Sequence, residues 1–264
     1  MARETKQQRK PEAARPGRNP WRIALWTGVL IAVCVSSAVA GLKVREFALT
    51  NPQFMLARGR QGSLTVEGLQ YTSRYKVQRV FAGDFDQSVF AIPLAERRRR
   101  LLAIDWVEDA SVSRIWPDRI VVRLRERKPV AFVATRTGAM LIDAWGVLLD
   151  QPPHVSFAFP VLNGVHEDEP ELRRRERVRA FQDLQQELGL LAKDISEVIA
   201  SDLTNIRVVA KVENRAVELT LGDSNFASRY RNFLNHYPEI HKRSPEIAAF
   251  DLRLDDRITA RPRE

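Results

Sequence analysis

The chain has 264 residues, with 42 Lys and Arg against 33 Asp and Glu, a formal net charge of +9 and 44% hydrophobic residues. That length suits two modest domains besides any targeting segment, and no repeat or low-complexity run interrupts it. One cysteine, Cys34, excludes a disulfide framework, and no thiolate metal site can be built from it.

Residues 1–22 hold seven basic side chains (Arg3, Lys6, Arg9, Lys10, Arg15, Arg18, Arg22) against Glu4 and Glu12, so they supply +5 of the chain's +9. With three prolines and almost no large apolar residue, this tail is expected to be disordered. A basic arm is also a generic phosphate binder. Apart from Trp21 at its end, no aromatic is interleaved with the charges, and a topology signal accounts for them, so nucleic acid is not an expected partner.

Residues 23–42, Ile23 to Leu42, contain no formal charge. In a helix they cover about the 30 Å hydrocarbon thickness of a bilayer. Lipid offers no partner for an unpaired backbone group, so a membrane-spanning helix is the natural reading. Trp21, Trp26, Arg22 and Lys43 flank it as interfacial residues would. A removed leader is the alternative, because Ala38-Val39-Ala40 before Gly41 resembles a cleavage site. The long preceding segment and the length of the run favour a retained anchor. Basic residues beside a span stay in the cytoplasm, which places the rest of the chain outside, in the periplasm or its equivalent.

Residues 43–62 read as a juxtamembrane connector, helical at first. Ser63 to Glu67 alternates and stops at Gly68, as a strand and turn would. Thr72 or Ser73 then caps a helix with Val77, Val80 and Phe81 on one face, broken at Gly83-Asp84. Pro93 begins a second helix, with Leu94, Leu101 and Leu102 on one side. Its Arg97–Arg100 run is either a basic patch or a solvated face, and four consecutive residues spread around a helix as a solvated face does. Trp106–Ile115, with Trp106, Ala110 and Val112 on one face, and Arg119–Glu126, with Ile120, Val122 and Leu124 on one face, form an antiparallel hairpin through Trp116-Pro117-Asp118.

The stretch from Val107 to Phe132 resembles the FtsQ/DivIB family of bacterial cell-division proteins. The family pattern V-x-x-A-x-V-x-R-x-x-P is met at Val107, Ala110, Val112, Arg114 and Pro117, and alternating apolar positions at Ile120, Val122 and Leu124 then lead into E-R-x-P-V-A at Glu126, Arg127, Pro129, Val130 and Ala131. The resemblance implies a single span, a POTRA domain of β-α-α-β-β order over 63–132 and a C-terminal β-domain over 133–264. The expected fold class is therefore α+β, the second domain mainly antiparallel with flanking helices.

In that second segment, Val130–Thr135 and Met140–Leu149 read as strands and Phe159–Leu162 as a short apolar run. Glu169–Leu188 reads as a helix stopped by Gly189, with Val178, Phe181, Leu184 and Leu188 facing inward. Its Arg173–Arg177 start is expected to be an exposed face. Strands follow at Glu197–Ser201, Ile206–Val212 and Val217–Leu221. Ser224–Tyr237 is an amphipathic helix ended by Pro238, with Phe226, Tyr230, Phe233, Leu234 and Tyr237 on one face. Ile247–Leu254 and Arg257–Arg261 complete the chain as terminal strand.

No catalytic constellation emerges. His154, His166, His236 and His241 lack metal-ligand spacing. Asp255-Asp256 would point to opposite faces of a strand, and Glu167-Asp168-Glu169 reads as exposed turn carboxylates. No enzyme, cofactor or small-molecule substrate is expected, and recognition remains. A terminal edge strand can accept a partner strand. The family resemblance supplies that partner, FtsB in its periplasmic coiled coil with FtsL. It implies a surface of Leu254, Asp256, Arg257 and Ile258 on the strand, His236 and Ile240 at the helix end, and Arg207 toward an acid of the partner. The sequence departs from some relatives in lacking a Tyr at Leu254 and a Ser-Gly pair at Asp256-Arg257. The expected function is a non-catalytic divisome scaffold at the septum; the alternatives are a POTRA-type chaperone or secretion accessory and an exported hydrolase.

Overall fold

The computed structural model describes residues 20–136, 138–153, 155–255 and 257–261. Residues 1–19 of the basic tail lie outside them, and so do His154 and Asp256. Helix α1 (Pro20–Thr50) contains the apolar run and continues eight residues past it, without a break at Ala40. Its Val and Leu side chains are exposed, as those of a lone helix that meets lipid would be.

The connector is not free chain. Asn51 accepts from Gln53 N at 2.9 Å and starts a 3-10 turn at Pro52–Phe54. Phe54 and Leu56 then enter the first core. Leu56 N donates to Gln87 O and Val89 N to Phe54 O, which stitches this segment to the loop before the second helix.

The first domain is β1 (Leu64–Glu67), α2 (Arg74–Val80), α3 (Leu94–Leu102), β2 (Val107–Ile115) and β3 (Arg119–Glu126). Its sheet order is β1-β3-β2, with β1 parallel to β3 and β2 antiparallel to it. Val77, Phe81, Leu101, Ile120 and Val122 are fully buried between helices and sheet. Pro93 sits just outside α3 as its N-cap instead of at its first position. Gly68, at φ +83°, is required where it stands, because a Cβ there would strike Leu124 O. The Glu126 carboxylate accepts from Tyr71 N at 2.7 Å and Thr72 N at 2.8 Å, holding the entry to α2.

Two expectations change here. Arg97 is not on a solvated face: it forms a two-point pair with Asp84 at 2.6 Å, both largely buried, and this partnership raises its pKa. Arg98 donates to Ala110 O at 2.6 Å. The register of β2 also shifts between Val107 and Asp109. This bulge puts Val107, not Trp106, beside Ala110 in the first core and turns Trp106 outward to the second domain.

The second domain is a nine-stranded sheet in the order β12-β11-β10-β9-β8-β7-β4-β5-β6. The strands are β4 (Pro129–Thr135), β5 (Gly138–Asp143), β6 (Leu148–Leu149), β7 (Val161–Asn163), β8 (Ile195–Ile199), β9 (Ile206–Val212), β10 (Arg215–Gly222), β11 (Ala249–Asp251) and β12 (Thr259–Ala260). Antiparallel pairs predominate, but β4–β7, β7–β8 and β10–β11 are parallel, so the sheet is mixed. Helices α4 (Glu171–Leu188) and α5 (Phe226–Arg243) share one face, where Val178, Phe181, Phe233 and Tyr237 meet Val208, Leu219 and Phe250.

The expected strand Met140–Leu149 is split. Asp143 accepts from Trp145 N at 2.9 Å and Val147 N at 2.8 Å, folding a turn around Gly146 at φ +85°. The α4 arginines are not simply exposed. Arg174 donates to Gly146 O at 2.8 Å and Arg175 lies 4.1 Å over the Trp145 ring. Arg177 pairs with Glu169. Pro238 does not end α5, which runs on to Arg243. Proline costs about 3 kcal/mol inside a helix. Packing of Tyr237 and Ile240 on the core, and the cationic last turn His241-Lys242-Arg243, oppose that cost.

Candidate partner-binding surface

Beyond Asp251 the chain leaves β11, with Leu252 N still donating to Thr220 O at 2.9 Å, and among the described residues the next strand begins at Thr259. Leu254, Arg257 and Ile258 therefore lie in a connection between two short strands, and not on a strand as expected. Continuous pairing fails because the segment is pinned to α5 instead. Arg229 on α5 donates to Asp255 Oδ1 at 2.8 Å and to the carbonyls of Leu221 at 2.7 Å and Ser224 at 2.8 Å. Arg253 folds back on Asp251, with Nη2 to Oδ2 at 2.6 Å. That guanidinium holds the Asp251 carboxyl below the usual carboxylate range.

The connection and α5 enclose a shallow cleft of about 350 Å³ lined by Asn232, His236, Ile240, Arg243, Arg257 and Ile258. A smaller neighbouring cleft includes Leu254 and Asp255. The structure thus brings together five of the expected residues: His236, Ile240, Leu254, Arg257 and Ile258. Ile240 and Ile258 are half-buried against the core, whereas Leu254 is exposed. His236 Nδ1 stands 2.8 Å from Asn232 O. A carbonyl only accepts, so Nδ1 is the donor in that contact.

Arg207 does not join them. It pairs with Glu218 at 2.8 Å and stands opposite Thr220 in β10, while its neighbour Val208 faces α5 in the core. Alternation therefore puts Arg207 on the reverse face of the sheet. Four strand spacings separate β9 from a strand added beyond β12, about 19 Å at 4.8 Å each, too far for an ion pair. Arg229, Asn232 and Asp255 were invisible as site residues in the sequence, since their role depends on the non-local approach of the connection to α5.

Beside the cleft, β12 pairs, among the described residues, with β11 alone. Thr259 and Ala260 are exposed, and Arg261 N donates back to Ala249 O at 2.9 Å. Amides alternate along a strand, so the Ala260 N–H points away from β11. Burial pushes the Tyr230 phenol up to about 12, which keeps it neutral. Among the described residues no group of three or more His, Cys, Asp or Glu could hold a metal ion.

Among the described residues, one helix long and apolar enough to cross a membrane, followed by a β-α-α-β-β domain and a mixed-sheet domain, fits a membrane-anchored protein with two folded domains. Residues 60–127 match the model for the POTRA domain, FtsQ-type, and residues 131–253 that for cell division protein FtsQ/DivIB, C-terminal. The chain belongs to the FtsQ family of bacterial cell-division proteins. It is 34% identical over 260 residues to cell division protein FtsQ of Koribacter versatilis, covering 96% of this chain and 74% of that one. FtsQ of Cellvibrio japonicus is 26% identical over 257 residues, with the same two coverages. The solved major extracytoplasmic domain of DivIB from Geobacillus stearothermophilus is 19% identical, covering 46% of this chain and 95% of that one, at a TM-score of 0.27.

Proposed function

We propose that the chain is a non-catalytic scaffold of the divisome at the septum, anchored by α1 with its basic tail in the cytoplasm and both domains exported. Its β12 edge and the adjoining α5 cleft take an extended segment of FtsB, in its coiled coil with FtsL, by β-augmentation. The observation that carries this reading is the one-sided pairing of β12 beside a cleft with an apolar floor at Ile240 and Ile258. An added strand gains main-chain hydrogen bonds from the edge and side-chain specificity from the cleft. His236, Leu254 and Arg257 would border it; Asp256 belongs to the same segment but lies outside the described residues. Membership of the cell-division family supports the divisome role, and the positive-inside rule supports the topology.

Ala260→Pro is the test. Deleting the whole terminal segment would remove the buried Phe250 and Leu252, whereas proline at Ala260 removes only the outward donor and is tolerated on an edge strand. Capture of FtsB–FtsL by the full-length variant should be lost while the circular-dichroism melt is unchanged. Unaltered capture by a folded Ala260→Pro chain would place the interface elsewhere.

A further inference from the structure

The first domain carries a second exposed apolar feature that partner recognition at β12 does not use. Trp116, at the tip of the β2–β3 hairpin, is 68% exposed, and Ile115 beside it is also exposed. The tip is held rigidly. Arg114 donates to Val89 O and Ile92 O, both at 2.6 Å, and Asp118 pairs with Arg60. Trp116 makes edge contacts with Phe54 at 5.6 Å and Phe90 at 5.6 Å. Phe54 in turn packs on Phe47 of α1 at 5.9 Å. Ser88 Oγ donates to Ala48 O at 2.7 Å, so the domain is bolted to the end of the helix.

Helix geometry sets the height of this cluster. Phe47 lies five residues beyond Leu42, about 7.5 Å along the axis at 1.5 Å per residue. The headgroup layer on each side of a bilayer is about 5–7.5 Å thick, from the difference between total and hydrocarbon thickness. Val44 and Phe47 are exposed on α1 at that height. They continue the apolar surface of the span toward Trp116. Arg45 on α1 and Arg119 beside the tip are exposed, cations suited to lipid phosphates, while Lys43 is paired with Glu46 at 3.0 Å.

We propose that the Trp116 hairpin tip is a second membrane contact, seated in the headgroup layer beside the anchor, which fixes the orientation of the first domain on the bilayer. This rests on α1 being a membrane span. The occupant is the lipid surface because the chain itself delivers the tip there: rigid packing links Trp116 to a helix turn that stands at headgroup height. An indole suits that layer, apolar in its body and with one N–H donor for a phosphate or carbonyl oxygen.

The test uses the full chain in phospholipid vesicles with Trp21, Trp26 and Trp145 replaced by Phe. That leaves Trp116 and the buried Trp106 as emitters. Lipid carrying a headgroup nitroxide should quench the Trp116 emission, and the quenching should vanish when Trp116→Phe is added. A lipid labelled near the chain terminus should have much less effect. Trp116 emission unchanged by headgroup label, in vesicles that retain the chain through a carbonate wash, would overturn the proposal and leave the tip for a protein partner. Release of the chain by carbonate would sink the span, and the proposal with it.

Discussion

The two ends of the nine-stranded sheet have opposite fates. At the β6 end, the reverse face is covered by the first domain: Trp106 and Tyr71 pack with Leu141, Leu149, Phe132, Phe157 and Phe159. Trp106 Nε1 donates to Asp150 O at 2.9 Å just past β6, and Arg127 joins the buried Asp143 at 2.8 Å across the domain junction. At the β12 end, the same face is polar, carrying Arg207–Glu218 and Asp251–Arg253 pairs and an Arg261–Thr220 hydrogen bond. Among the described residues no strand pairs with the edge there. An edge strand is a template for another chain unless it is covered; under the proposed function it is the uncovered β12 end, and not the end packed against the first domain, that takes the partner strand.

Breaking the sealed end should have the largest effect. Trp106→Ala empties the aromatic junction and leaves Asp150 O without its donor. The expected loss is about 4 kcal/mol, in the range for deleting a buried aromatic, and a lower urea midpoint for the exported region would show it. A change under about 1 kcal/mol, the size of an ordinary surface substitution or less, would mean that the junction is not a packed interface.

At the open end the contacts are more exposed and the effects smaller. Arg229→Ala should cost about 1.5 kcal/mol, since it removes charge-assisted hydrogen bonds that organise the connection. Its mark is faster hydrogen exchange over 252–258 with the sheet unaffected. If exchange there stays at the parental rate, Arg229 does not hold the connection to α5.

The smallest effect is a pH dependence. Arg253 depresses the Asp251 carboxyl in the folded state. Its contribution is therefore present above the unfolded value, about 3.9, and is lost as pH falls through the depressed folded value. Peptide-resolved exchange across 249–253 should accelerate over that acid window in the parent relative to Asp251→Asn, which lacks the titrating group. Parallel profiles in the two chains would show that the pair contributes nothing.

The residues that carry the family resemblance are structural in this chain. Glu126 accepts from the amides of Tyr71 and Thr72, Arg114 binds the 89–92 turn, and Ile120, Val122 and Leu124 fill the first core. They made the first domain easy to read because each sits in a local strand or turn pattern. Alternation in β3, the apolar stripes of α4 and α5, and the Glu213-Asn214 turn between β9 and β10 were legible for the same reason. The site was legible only as a region. His236, Ile240, Leu254, Arg257 and Ile258 do converge, but through an irregular connection, and Arg207 falls on the far face.

The amino-acid sequence alone determined the apolar span, the α+β class, the family and the run of strands and helices. Those follow from composition, short-range periodicity and one in-register motif, all properties of neighbouring residues. Only the tertiary structure decided that a bulge at the start of β2 sends Trp106 across to the second domain. It also decided that α5 continues through Pro238 and that Arg229 holds Asp255 against α5. Each of these depends on contacts between segments distant in the chain, whose packing and hydrogen-bond energies, a few kcal/mol apiece, outweigh local preference.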